Sequence, residues 1–319
     1  MRVGATRPTL VADLVELKCG AVVAEIEPTA GGRIVSLVLG DAERLLSKAG
    51  ARAIAPPIYW GCYPMVPWAG RLANGRIPTP EGDVRLEPNL GRSAIHGLGF
   101  DAPWVILDQS DAVVTMSCEM RGRGWPFGGE ARQTVRLGPA SLDLELELAG
   151  YTRQGPAGLG WHPWFARPRT GDLEVMVDSG EVLVLDADQV PTGQVRDVTA
   201  REDLRSGPPL GHRRLDHVYV NATSPAIVRW PDLELRIDLE QALRTVVVHT
   251  PREGVCVEPQ TMWPNAPALA AGGVSNTGLR TLEPGEHLRV RERWTWVPRR
   301  DLSEGRARSS PRARPRHVR

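Results

Sequence analysis

Strict alternation of apolar and charged residues is the dominant pattern along this chain. Leu142–Leu148 reads LDLELEL and Leu233–Leu239 reads LELRIDL, each with one apolar and one charged face. The alternation predicts strands half buried against a core, because successive side chains of a strand point to opposite faces. Leu288–Val290, continued by Trp294 and Trp296, repeats it near the end. Shorter β-branched runs at Ala21–Ile26, Ile34–Leu39, Val113–Met116, Leu173–Val177, Val182–Leu185 and Thr245–Val248 predict further strands. Gly and Pro clusters separate them, as turns require. Short helices are expected only at Thr199–Ser206, with Thr199 as a cap, and near Ala266–Ala271. Many strands, few helices and no obvious linker predict an all-β fold, mostly antiparallel, with two large sheets face to face. The expected domain is residues 1–298, followed by a disordered Arg/Pro/Ser-rich tail at 299–319.

Two kinds of segment interrupt this rhythm. Tyr59–Asp83 is crowded with Pro, Gly and aromatic residues, contains Arg71 and Arg76, and is not expected to be a plain strand. Its length and aromatic content mark it as a functional loop. Ser93–Phe100 (SAIHGLGF) and Gly158–Phe165 (GLGWHPWF) each bring a histidine, His96 and His162, after or beside glycines that let the chain bend. Pro163 biases His162 to extended backbone. Glu258 follows the apolar run Val255–Val257, where a carboxylate is costly to bury unless it is paired or has work to do. Asp216 opens the strand LDHVYV, with His217 on the opposite face. An imidazole and a carboxylate from distant strands make an acid/base pair, and His162 with Glu258 is the pair this sequence offers.

Composition narrows the reading further. The formal net charge is +1, which gives no global field for nucleic acid or an anionic membrane. Lysine occurs only at Lys18 and Lys48; the arginine excess fits the codon usage of a GC-rich genome. The four cysteines are scattered without CxxC spacing, so no zinc cluster or disulfide framework is expected and the thiols should be reduced in a cytoplasmic setting. Neither a signal peptide nor a membrane span is expected from the N-terminus or any apolar run.

Taken in order, GGRIVSL, PWAGRLANGRI, IHGLGF, GWHPWF, DADQVPTGQV, LDHVYV, VCVEPQTMWPNAP and LEPGEHLRVRERW resemble the landmarks of the aldose 1-epimerases, the galactose mutarotase-like family, from about Gly31 to Trp296. The resemblance implies a β-supersandwich and a monosaccharide substrate, with Glu258 as general base and His162 as general acid. It implies sugar-binding roles for His96, Arg71 and Asp216, and no metal or organic cofactor. Trp164, or Trp161, is expected either to stack on the sugar or to pack in the core. Trp164 replaces the tyrosine common after His-Pro, Gly70 stands where asparagine is frequent, and the turn after His96 is shorter than the usual double-glycine form; these departures put the substrate in question more than the reaction. Two other readings stand beside the anomer-interconverting enzyme. One is a mutarotase for a phosphorylated or sulfonated sugar, with Arg33, Arg71 and Arg76 as an anion clamp; the other is a sugar-binding protein without catalysis. A monomer or homodimer is expected.

Overall fold

The computed structural model describes residues 13–51 and 57–299. Among these, an eleven-stranded and an eight-stranded antiparallel sheet carry the architecture, with three small two-stranded ribbons beside them. The alternating segments behave as their pattern dictates. Leu142, Leu144, Leu146 and Leu148 are all buried within the strand Ser141–Tyr151, which lies between Gly128–Leu137 and Leu288–Pro298 in the eight-stranded sheet. Each buried leucine contributes roughly 2 kcal/mol of apolar transfer. The two sheets meet through aromatic side chains: Phe165 lies 5.5 Å from Trp294 between ring centroids. Trp161 Nε1 donates to Gln133 Oε1 (3.0 Å), and Gln133 Nε2 donates to the Gly32 carbonyl (2.7 Å). Trp161 is therefore a core residue on the face away from the cleft described below, the packing role of its two expected ones.

In the larger sheet, five neighbouring strands form the centre: Cys62–Met65, Gly160–Ala166, Gly254–Gln260, Thr245–His249 and Asp216–Val220. The strand Cys62–Met65, together with the short strands Arg71–Leu72, Arg76–Thr79 and Gly82–Arg85, occupies the segment expected as a continuous loop. Cys62–Met65 is buried at all four positions, so it shows none of the alternation that marks a half-exposed strand. Prolines sit in three of the central strands, at Pro64, Pro163 and Pro259. Pairing between Gly160–Ala166 and Gly254–Gln260 is made at Gly160 with Gln260 and resumes at Trp164 with Cys256. Pro163 and Pro259 have no N–H to give in the interval between. The same register sets His162 directly opposite Glu258.

Ala266–Ala271 is a helix, as expected. Thr199–Ser206 is not: it makes one turn and stops. Thr199 N and Oγ1 both donate to Glu202 Oε2 (2.8 Å each), the contact of a helix start. Tyr219 Oη then takes the Glu202 carbonyl (2.6 Å) that a second turn would need, and Arg196 clamps the Glu202 carboxylate. Tertiary partners thus divert the backbone from its local preference. Arg299, where the tail is expected to begin, donates to the Trp230 carbonyl (2.9 Å) and lies 3.3 Å from Glu174. Residues 300–319 lie outside those described.

Candidate active site

A cleft of about 210 Å³ opens over the centre of the larger sheet, and His162, Glu258, His96, Arg71, Asp216 and Trp164 all line it. Directly opposed residues of neighbouring strands share a face, so the register explains the floor. Tyr63 pairs with His162, Glu258 with Val247, Val247 with Val218, and Asp216 with His249. His162 Nε2 stands 3.2 Å from Glu258 Oε1, and both residues are buried. The imidazole is held on three sides. Tyr63 lies 4.8 Å away at 31°, Trp164 5.5 Å away and nearly parallel at 9°, and His96 4.8 Å away and perpendicular at 85°. Tyr63 Oη (3.0 Å) and Trp164 Nε1 (2.7 Å) both donate to the Ile58 carbonyl, which pins these flanking rings.

His96 and Arg71 arrive from the irregular segments. His96 adopts φ +61°, and its N–H donates to the Gly70 carbonyl (3.1 Å). Gly97 follows at φ +82°, where a Cβ would come within 2.0 Å of the Val66 carbonyl oxygen. No other residue fits, which gives the glycine after the histidine a steric reason. Gly70 is also left-handed, at φ +68°; glycine and asparagine both tolerate that conformation. The Arg71 carbonyl accepts from Asn265 N (2.6 Å), and Asn265 Oδ1 accepts from Ala73 N (3.1 Å). The PNAP segment therefore holds the arginine-bearing turn against the cleft.

Burial dominates the electrostatics. It pushes the Glu258 carboxyl well above the usual carboxylate range, with Asp216 adding to the rise and Arg71 opposing it. It pushes the His162 imidazole well down, helped by His96 and His249, and the His96 imidazole down to about 3, helped by Arg71. Burial raises Asp216 too, but His249, Arg71 and His217 outweigh it and hold this carboxyl below its ordinary value. His96 is thus an uncharged ring near neutral pH, and His96 and His162 each have a buried Nδ1 with no hydrogen-bond partner among the described residues. Their ligand atoms and those of Glu258 lie within 4.8 Å of one another, so these three are also the residues that a divalent metal would find.

The arginines proposed as an anion clamp do not converge. Arg33 is fully buried beneath the Tyr63 ring, where its guanidinium donates to the carbonyls of Ala30, Pro57, Trp60 and Phe100. Arg76 pairs with Asp83 on an exposed ribbon (2.6 Å). Of the three, only Arg71 reaches the cleft. His217 faces away from Asp216, as its position in the strand requires, and lies 3.3 Å from Glu202. Sequence reasoning missed His249, which lines the cleft with Nδ1 3.5 Å from Asp216 Oδ1. It also missed Gln189, which stands at φ +60° in the DADQVPTG turn and lines the same cleft. A histidine closing the β-branched run Thr245–Val248 was the available signal for the former; its partner became visible only with the strand register.

Known proteins locate this architecture. A crystal structure of a putative aldose 1-epimerase from Escherichia coli K12 superimposes with a TM-score of 0.76 at 18% identity, covering 89% of this chain and 99% of that one. A GalM/aldose epimerase homologue from C. elegans gives 0.77 at 18% identity, covering 89% and 98%. A galactose mutarotase-like protein from Clostridium acetobutylicum gives 0.77 at 16%, covering 90% and 95%. At these identities the likeness establishes the galactose mutarotase-like fold. In sequence, 110 residues are 30% identical to the uncharacterized protein YphB of Escherichia coli K12, a match spanning 33% of this chain and 36% of that protein. The model of the aldose 1-epimerase family matches residues 13–295, nearly the whole described chain. The chain belongs to the aldose 1-epimerase family.

Proposed function

We propose that the protein is a mutarotase, interconverting the α and β anomers of a free hexose or related aldose by general acid/base ring opening. The observation that carries this reading is the buried His162–Glu258 pair, 3.2 Å apart on the floor of a cleft lined by Arg71, His96 and Asp216. Glu258 accepts the proton of the C1 hydroxyl, and His162 gives its Nε2 proton to the ring oxygen. The C1–O bond of the ring breaks with its electron pair going to that oxygen, and C1 becomes an aldehyde. Rotation about C1–C2 turns the other face of the carbonyl to the hydroxyl. Closure returns both protons, so each side chain ends as it began.

Burial favours the opening step in both partners. A carboxylate with raised proton affinity is a stronger base, and an imidazolium with lowered affinity is a stronger acid. Of the two forms of the pair that hold one proton, opening starts from the charged carboxylate–imidazolium form and ends in the neutral form, which a desolvated floor prefers. Arg71 and Asp216 supply the planar and two-oxygen groups that bind vicinal hydroxyls, and His96 supplies a neutral ring nitrogen. Trp164 keeps the His162 ring in plane and offers an apolar wall. One arginine at the cleft favours an uncharged aldose over a phosphorylated or sulfonated one. The reading places the enzyme in a reducing compartment, in line with the free thiols Cys19, Cys62, Cys118 and Cys256.

Polarimetry of freshly dissolved α-glucose and α-galactose tests it. Wild type is expected to speed the approach to equilibrium, and Glu258→Gln to lose about a hundredfold or more of that acceleration. Acceleration that survives the substitution would refute the assignment of the base, and acceleration of neither sugar would refute the activity.

A further inference from the structure

His249 is the cleft histidine that the reaction above leaves without work, and three observations give it some. It lies directly across from Asp216 in the strand register, on the face that holds the cleft, while His217 turns the other way. Its Nδ1 is buried with no hydrogen-bond partner among the described residues, and an Asp216 carboxylate oxygen lies 3.5 Å from it. That separation is a few tenths of an ångström beyond a hydrogen bond. Buried polar atoms are rarely left unpaired, and contacts of this kind commonly tighten when substrate is present. Finally, the ring cannot easily turn away. Trp164 stands edge-on to it at 5.9 Å and 88°, and Trp164 is itself pinned to the Ile58 carbonyl. Tyr63, His162, Trp164 and His249 thus form one continuous row of rings running from the proton donor to the partner of Asp216.

We propose that His249 is a positioning residue of the sugar site, fixing the Asp216 carboxylate in the orientation from which it grips the ring hydroxyls. The proposal rests on the mutarotase reading for Asp216 as a sugar ligand. The Nδ1–H of His249 donates to Asp216 Oδ1 and leaves the second carboxylate oxygen for the sugar. Without that contact the half-exposed carboxylate samples other rotamers, so the ligand is bound more weakly while the acid/base pair is untouched. The effect belongs in KM and not in kcat.

His249→Leu, His249→Asn and His249→Gln discriminate this role from simple packing. The Asn amide nitrogen falls near the Nδ1 position, whereas the Gln amide reaches toward Nε2. Anomerisation rates measured over a range of sugar concentration should show KM raised about tenfold in His249→Leu, with kcat within about threefold of wild type. His249→Asn should recover most of the loss, and His249→Gln should not. In an Asp216→Asn background, His249→Leu should add little, because the two act as one unit. Three results would each overturn the proposal: His249→Asn as impaired as His249→Leu, effects that add in the double variant, or a loss confined to kcat. If wild type accelerates no aldose, the mutarotase reading fails by itself. Wild type, His249→Leu, Asp216→Asn and the double variant titrated calorimetrically with galactose then read the His249–Asp216 coupling as Kd, and additivity there counts against His249 independently.

Discussion

Replacing Glu292 by glutamine should make the protein more stable in alkaline solution, and the structure sets the size of the gain. Glu292 lies in the strand Leu288–Pro298 and faces inward between the sheets, 1% exposed. Trp294 Nε1 donates to its Oε1, but among the described residues Oε2 has no partner and no cation pairs with the carboxyl. Burial pushes its carboxyl from 4.5 up to about 8. Because the folded value is the raised one, the stability this group permits is complete below about pH 4.5. It is lost progressively as pH rises toward about 8 and changes little above that. At about 1.4 kcal/mol per unit, the loss between pH 5 and pH 9 is on the order of 4 kcal/mol. Glutamine keeps the acceptor for Trp294 and never ionises; its unpaired amide costs about 1 kcal/mol at every pH and leaves the slope alone. Urea denaturation followed by tryptophan fluorescence at pH 5, 7 and 9 measures the difference between the two proteins, so titrations elsewhere, Glu258 included, cancel. The difference should grow by several kcal/mol across that range in favour of the variant. Parallel stability curves would refute the reasoning.

The proposed acid/base pair makes a pH prediction whose sign follows from the same physics. In its proposed reactive form the His162–Glu258 pair holds one titrating proton; Glu258 binds it more tightly than an ordinary carboxylate, and His162 binds a second more weakly than an ordinary imidazole. Activity should therefore persist as pH rises through about 6.5, the ordinary histidine value, and a loss of kcat/KM centred there would contradict the shifts. Gly97→Ala should cost more than tenfold in kcat/KM and about 2 kcal/mol or more in urea stability, because the new Cβ meets the Val66 carbonyl oxygen at φ +82°; unchanged kinetics would show that His96 needs no such turn. Arg33→Met should lower the unfolding free energy by about 3 kcal/mol or more, since four carbonyl contacts lose their donor. A variant of normal stability, measured by the same denaturation, would count against that role.

Legibility in the sequence followed exposure. Strands with one wet face, such as Leu142–Leu148 and Leu233–Leu239, announce themselves by alternation and are found where expected. Cys62–Met65, covered on both faces, has no polar half to alternate with, and its proline argued against a central strand. Thr199–Ser206 carried a true helix-start signal, defeated by Tyr219 and Arg196 from elsewhere in the chain. At the cleft, His162 and Glu258 were legible because a carboxylate in an apolar run and a histidine between tryptophans are costly unless used. The arginines were not, since the same residue type serves as a carbonyl clamp at Arg33, a surface ion pair at Arg76 and a cleft-lining residue at Arg71. Only the fold distinguishes them. His249 needed the register, because a histidine ending a strand has no partner until the neighbouring strand is known.

Proton-NMR exchange spectroscopy on galactose already at anomeric equilibrium addresses the chemistry most directly, because it sees interconversion without any net change and is blind to binding alone. Cross-peaks between the α and β anomeric protons should build up far faster with wild type than in buffer, and at nearly the buffer rate with Glu258→Gln. Equal exchange rates for buffer and wild type, with the sugar nonetheless bound, would contradict the account and leave a cleft that holds sugars without turning them over.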